Sequence, residues 1–303
     1  MYNRNNLEST GGDFVRLIHI SDLHIGKRVN EFSMLEDQKY ILDQILNIVE
    51  EKQIDAVMIA GDIYDKAVPT AEAVCVFDYF LTKLRYQDIK VFIISGNHDS
   101  PERIAFGREL MKKSGIYISP VFQGKIEPIS IKDDYGRVNF YLLPFLKPAL
   151  IRPFYPQQEI SSYEDGLNAV IQDMDISKAE RNILVAHQFV IGAETCDSEE
   201  LSVGGLDQVP SVIFEGFDYV ALGHLHGPQY VGKPYIRYSG SPLKYSFSEI
   251  NHKKQAVLVE LREKGSVTIE KIYLKSKREL RKLRGSYEEI TYRKNYENTA
   301  TDD

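Results

Sequence analysis

The chain has no tryptophan and only two cysteines in 303 residues. Cys75 and Cys196 cannot build a disulfide framework and lack metal-site spacing. A reducing, cytoplasmic setting is therefore expected. No run approaches the ~20 apolar residues that cross a bilayer, so no membrane partner is expected. Residues 1–14 lack the apolar stretch of a signal peptide and read as an added or disordered leader before the strand-like run at Val15. Internal repeats and low-complexity tracts are absent too. Positive charge is in short supply, with 37 Lys and Arg against 44 Asp and Glu and a net charge of −7, which does not favour a nucleic-acid partner. Net charge is silent about placement, however: residues 271–294 hold nine Lys or Arg against three Glu, leaving the rest of the chain near −13.

The chain is 43% apolar, too much for a disordered protein, and long enough for one large domain or two ordinary ones. Three short β-branched runs, 15–20, 55–60 and 90–95, are apolar on both faces and read as strands buried on both sides. Between them, Leu35, Ile41, Leu42, Ile45, Ile48 and Val49 recur with helical spacing, as do Ala73, Val76, Phe77, Phe80, Leu81 and Leu84. Strand and helix alternate, which implies βαβ units and largely parallel pairing. Residues 182–186 and 218–223 read as two more strands, 163–174 as a further helix, and the segments after 227 as hairpins. The prolines within 140–156 predict a long connection there rather than a regular strand or helix. Tyr287–Tyr292 reads as a final strand.

The polar residues that follow the strands carry the chemistry. Ser21, Asp22, Leu23 and His24 follow the first, Gly61 and Asp62 the second, and Gly96, Asn97, His98 and Asp99 the third. His187 follows the fourth, and His224 and His226 the fifth. The C-terminal edge of an open α/β sheet is where sites form. A lone histidine is most often a packed core or surface residue, which suits His19 and His252. Coincidence does not suit five of the seven histidines placed after strands beside Asp22, Asp62 and Asn97. Carboxylate, amide and imidazole without thiolate suit Mn²⁺, Fe²⁺ or Zn²⁺. Seven such groups are too many for one ion that keeps an open position; they suit two ions ~3.5–4 Å apart with one bridging carboxylate, an arrangement fitted to phosphoester hydrolysis. Gly61, Gly96 and Gly223 are each expected to let the backbone turn sharply after a strand.

In order, these blocks resemble the calcineurin-like metallophosphoesterase superfamily. GGLDQVP at 204–210 and YSGSPLKYSFSE at 238–249 resemble, more closely, the SbcD nuclease family. The resemblance implies an α/β fold, an α+β-like four-layer β-sandwich flanked by helices. It implies that Asp22, His24 and His226 hold one divalent ion, that Asn97, His187 and His224 hold a second, most simply both Mn²⁺, and that Asp62 bridges them. His98 would face the scissile phosphate as a catalytic residue and stabilise or protonate the leaving oxygen. Asp99 would orient that imidazole, or act as a loop or helix cap before Pro101. Arg103 and Lys27 follow the motifs closely enough to touch substrate phosphate, although a surface charge is the commoner fate of such residues, and Asp65 reads either as a group that supports the ligands or faces substrate, or as a solvated loop acid. Tyr245 and Phe247 would frame a DNA-binding face or pack beneath it.

The implied activity is a metal-dependent DNA nuclease, with double-strand exonuclease and single-strand or hairpin endonuclease action in repair and recombination. Its implied partners are DNA and an SbcC-type ATPase, the chain pairing as a homodimer within a heterotetramer. Family dimers use helices of the nuclease domain, here 35–49 or 73–84, although a core-facing stripe explains either run as well. A nucleotide or small-ester phosphodiesterase, or a non-catalytic scaffold for DNA ends or the ATPase, are the alternatives. The nuclease domain is expected over 15–275. Residues 276–303 would be a linker and the start of a truncated C-terminal capping domain, and the basic run within 271–294 a solvated linker or a DNA or partner contact.

Overall fold

The computed structural model describes residues 14–199 and 207–295. Two six-stranded sheets face each other. The first runs, in spatial order, Val267–Tyr273, Gln255–Leu261, Val15–Ile20, Ala56–Ala60, Lys90–Ile94, Ile116–Ile118. The second runs Gln229–Val231, Lys233–Tyr238, Tyr219–Gly223, Arg181–His187, Gly136–Leu143, Ile129–Asp133. Pairing is parallel along Val15–Ile20, Ala56–Ala60, Lys90–Ile94 and Ile116–Ile118 and along Lys233–Tyr238, Tyr219–Gly223, Arg181–His187 and Gly136–Leu143; it is antiparallel at the hairpins and where Gln255–Leu261 joins Val15–Ile20.

The alternation of strand side chains builds the layers. Leu17, Met58, Phe92, Phe140, Val185 and Ala221 point between the sheets. Ile18, Val57 and Ile93 point the other way, onto the helices Leu35–Glu51 and Ala71–Tyr86. Tyr141, Leu184 and Val220 do the same against the helix Tyr163–Gln172. The result is helix, sheet, sheet, helix: the four-layer α/β sandwich expected. Phe92 and Phe140 stack across the middle with ring centroids 3.8 Å apart. His19 is the packed core histidine expected, its Nδ1 2.9 Å from the Tyr219 hydroxyl and its Nε2 3.1 Å from the Leu222 carbonyl. Burial lowers its pKa to about 3, so it joins the sheets as a neutral ring.

Two local expectations are corrected. The stretch 140–156 is not one long connection: Gly136–Leu143 is an eight-residue strand inside the second sheet. Pro144 stands just past its last residue, where no ladder N–H is required, and Pro148 starts the short helix Pro148–Ile151, where an N-terminal proline is tolerated. Tyr287–Thr291 is a helical turn, not a strand, because Ser286 and Glu289 form a reciprocal capping box. The expected leader lies outside the described residues except for Phe14, whose ring carries the guanidinium groups of Arg16 and Arg262. The apolar stripes at 35–49 and 73–84 are core-facing, with Ile41, Ile45, Phe80 and Leu84 buried in the sheet–helix core. No described helix is long and apolar enough to cross a membrane.

Candidate metal centre

Loops that leave the strand ends zip onto one another. Asp22 N–H donates to the Gly61 carbonyl at 3.0 Å, and His24 N–H to the Asp62 carbonyl at 2.9 Å. Asp22 Oδ1 accepts from His224 N–H at 2.9 Å, and Asp62 Oδ1 from His98 N–H at 2.9 Å. Asp22, His24, Asp62 and His224 all take positive φ, between 43° and 103°, conformations that non-glycine residues avoid unless their surroundings impose them. Of the three glycines expected to turn, Gly61 alone is left-handed, at φ +86°. Gly96 and Gly223 serve close approach instead: a Cβ there would strike Asp62, or the Ala60 carbonyl and His187.

All seven predicted ligand side chains converge. Asp22, His24 and His226 offer ligand atoms within 4.8 Å of one another; so do Asp22, Asp62 and His187, and so do His24, Asp62 and His98. Asp62 Oδ2 lies 3.3 Å from His187 Nε2 and 3.7 Å from His24 Nε2. Asn97 Oδ1 lies 2.9 Å from both His187 Nε2 and His224 Nδ1. Asn97 and His98 are half-buried, whereas Asp22, His24 and His187 are sealed, so the cluster opens on the Asn97–His98 side.

The donor atoms fit cations. His187 Nδ1 lies 2.8 Å from the Ala60 carbonyl and must donate to it, so in the neutral ring the lone pair is on Nε2, facing Asn97 and Asp62 oxygens. His24 Nε2 and His226 Nε2 face each other at 3.0 Å. Nε2 of His224 and Nδ1 of His24 are buried without a hydrogen-bond partner. Acceptors that crowd together in this way need positive charge between them. The titration of the cluster says the same. Burial would lower His187, but Asp62 and Asp22 outweigh it and raise its pKa to about 9. Burial would raise Asp62, but the imidazoles of His187, His24 and His98 hold it well below the ordinary carboxylate range. Asp22 is pushed up to about 6 by burial, against the pull of His187 and His226. Burial brings His224 down to about 3 and His24 far down as well, leaving both imidazoles neutral.

The remaining predicted residues divide. His98 Nδ1 lies 3.0 Å from the Asp65 carbonyl, so Nδ1 carries the proton and Nε2 is left for the site. Asp99 does not orient that ring, and the expectation is corrected. Its carboxylate accepts from the N–H groups of Ile63, Tyr64 and Gly96 at 3.1, 3.0 and 2.9 Å. Three backbone donors saturate the carboxylate and bolt the Asp62 loop to the Asn97 loop. The helix cap before Pro101 is Ser100, not Asp99. Lys27 Nζ is held by Asp65 Oδ1 at 2.7 Å, beside the cluster. Arg103 is an exposed side chain on the helix Pro101–Ile104.

Sequence reasoning missed a second group behind His226. Its Nδ1 meets the Ser198 hydroxyl at 2.8 Å and Glu249 Oε1 at 3.4 Å. Its backbone N–H donates to Glu199 Oε1 at 2.6 Å. Lys254 pairs with Glu249 in full burial and also donates to the His226 carbonyl at 2.9 Å. Tyr245, buried, packs edge-on against His24 and close to His226, while Phe247 is 47% exposed. Glu249 closes the SPLKYSFSE segment, the one signal that could have flagged it. Cys196, His226 and Glu249 also lie within 4.8 Å, but burial raises the Cys196 thiol to about 11 and Lys254 already claims Glu249, so this is a hydrogen-bonded cluster rather than a cation site.

Residues 15–228 match the sequence profile of the calcineurin-like phosphoesterases. The SbcD subunit of the SbcCD nuclease of Staphylococcus epidermidis is 35% identical over 280 residues, covering 91% of this chain and 74% of that protein. Its counterpart in the SbcCD nuclease of Staphylococcus saprophyticus is 35% identical over 293 residues, covering 93% of this chain and 77% of that protein. Among solved structures, a dimetal phosphatase from Danio rerio superposes with a TM-score of 0.52 at 10% identity, covering 86% of this chain and 97% of that one, a likeness of fold.

Proposed function

The chain belongs to the calcineurin-like phosphoesterase family and, within it, to the SbcD nuclease subunits, and on that premise we propose that it is a two-metal DNA nuclease. The observation that carries the reading is the convergence of inward-facing acceptor atoms on two groups that share Asp62. Asp22, His24 and His226 would hold one divalent ion, Asn97, His187 and His224 the other, with Asp62 between them; Mn²⁺ suits this hard-to-borderline set. When bound, such a pair supplies Lewis-acid charge to an in-line displacement at phosphorus and activates water near neutral pH.

The chain's own groups do the rest. His98 sits on the half-open side with its Nδ1 proton held by the Asp65 carbonyl; in the imidazolium form, Nε2–H would face the site and stabilise or protonate the leaving oxygen. Asp99 keeps the two ligand loops in register through its three backbone bonds. Lys27, which is paired with Asp65, and the exposed Arg103 would contact substrate phosphates. The substrate is DNA, cut as double-strand ends and as single-strand or hairpin segments, in repair with an SbcC-type ATPase, in the cytoplasm. Residues 15–275 would form the nuclease unit.

For the basic run, the pairing favours a strap over a free DNA contact at its start. Lys277 and Arg278 pair with Glu36 at 3.1 and 2.8 Å, and the Lys275 N–H donates to Gln44 at 2.8 Å. A homodimer would use exposed apolar groups other than the buried helix stripes. Phe106, at 82% exposure, and Leu110, at 74%, are available beside the site loops. The deciding comparison is cleavage of duplex and hairpin DNA against a small phosphodiester, each with Mn²⁺. DNA cleavage supports the nuclease reading; brisk small-ester turnover with intact DNA sinks it.

A further inference from the structure

We propose that Glu249, charge-balanced by Lys254, is a positioning residue that holds His226 in its Nδ1-protonated tautomer with Nε2 turned into the cation site. This role rests on the two-metal reading above and deepens it.

The available protons fix the tautomer. The Ser198 hydroxyl has one, and Ser198 Oγ lies 2.5 Å from Glu249 Oε1, 2.8 Å from His226 Nδ1 and 3.1 Å from Cys196 Sγ. A carboxylate only accepts, so the hydroxyl proton goes to Glu249. The Cys196 thiol has its own acceptor in Glu199 Oε1 at 3.3 Å. The Ser198 oxygen must then accept from His226, which places the imidazole proton on Nδ1 and the lone pair on Nε2. Nε2 is the atom that faces His24 Nε2 at 3.0 Å, in the Asp22–His24–His226 group.

Glu249 can play this part because its other bonds fix it. Oε1 also accepts from the Tyr245 N–H at 3.2 Å, and Oε2 takes the Lys254 ammonium. Lys254 spends its remaining protons on Ser241 Oγ at 2.7 Å and on the His226 carbonyl at 2.9 Å. Both residues are at least 94% buried. With the Glu199 bond to its N–H, His226 is gripped at its backbone N–H, its carbonyl and its ring Nδ1, and is free at Nε2 alone. A ligand imidazole whose far nitrogen donates to a fixed partner is oriented and made more basic, and loss of such a partner costs about 10–100-fold in metal affinity.

Two variants test this. In Glu249→Gln, Lys254 claims the single amide oxygen, so the amide NH₂ faces Ser198 and turns its hydroxyl proton toward His226. Glu249→Met/Lys254→Met removes both charges together, which buried pairs often tolerate, and guards against a fold lost to an unpaired lysine. Histidine ¹⁵N NMR of the metal-free protein reads the tautomer; Mn²⁺ titration calorimetry reads the sites; thermal melting reads the fold. Wild type is expected to show Nδ1–H at His226 and to bind about two ions. The folded variants are expected to lose that tautomer preference and to weaken one ion about 10–100-fold, leaving the other near wild type. Wild-type tautomer and affinities in both folded variants overturn the proposal. Fewer than about two ions in the wild type instead removes the two-metal reading beneath it, before any variant is compared.

Discussion

Asp133 and Arg181 form a buried ion pair at the end of the sandwich where the strands Val15–Ile20 and Arg181–His187 begin. Glu249 and Lys254 form another at the end where those strands finish. Both are sealed from solvent, yet their remaining bonds differ. Arg181 also reaches the carbonyls of Leu261, Arg262 and Gly136, and Asp133 takes the Val15 N–H at 3.0 Å, so this pair rivets one sheet to the other by main-chain contacts. Glu249 and Lys254 spend their contacts on His226 and the loop around it. Burial makes both pairs costly to break; the identity of their third partners decides whether the loss falls on the fold or on the site.

The contrast can be broken at several places. At the site end, His98→Leu should lower DNA cleavage between ~10²- and ~10⁴-fold, the usual worth of a positioned proton donor. Metal content and melting temperature should stay near wild type; retained cleavage would remove His98 from the chemistry. Asp62→Asn, measured by metal analysis, should weaken both ions because the carboxylate is shared. Loss of one ion alone contradicts the bridge. At the far end, Arg181→Met should leave Asp133 buried and unpaired, destabilising the fold by about 3–5 kcal/mol in denaturant titration. The protein that remains folded should bind Mn²⁺ as wild type does, and weakened metal binding would erase the distinction between the two ends.

The smallest effect is expected on the surface. Ser162→Ala removes the cap of the helix Tyr163–Gln172 and should cost about 1 kcal/mol without touching metal binding. Its partner Asp165 has its pKa lowered to about 2 by hydrogen bonds from Ser161 and Ser162. A depressed carboxylate stabilises the fold above its unfolded value and loses that contribution as pH falls through the folded one. Between pH ~4 and ~2 the wild type should therefore lose more stability than Ser162→Ala. Parallel losses would deny the cap that role.

How much of the fold and site is readable along the chain depends on the range of the interaction. Short apolar runs and helical apolar patterns are local, so the five strands that lead into the site loops and the three long helices are legible from 15–20, 35–49, 73–84 and their neighbours. Gly136–Leu143 is hidden because Pro144 and Pro148 look like breakers of the whole stretch, whereas each stands just outside an element or at its start. The final turn at Tyr287 imitates a strand because Tyr, Ile and Thr favour strands on average, and the Ser286–Glu289 capping box overrides them. Asp99 is legible as a site-loop residue but not as a backbone anchor, since its three donors come from two loops.

By itself, the sequence determined which side chains follow which strands, and so the chemical identity of the cluster: carboxylates, an amide and imidazoles without thiolate. Those are properties of neighbours along the chain, and parallel strands put their C-terminal ends on one edge. The tertiary structure alone decided which nitrogens of the clustered histidines face one another, that Asp62 lies between His187 and His24, and that Glu249, Lys254 and Ser198 stand behind His226. A tautomer is chosen by the acceptor on the far side of the ring, and for His226 that acceptor comes from Ser198, 28 residues away along the chain. No local pattern encodes such a contact; it forms where loops leaving the neighbouring strands Arg181–His187 and Tyr219–Gly223 meet at one edge of their sheet.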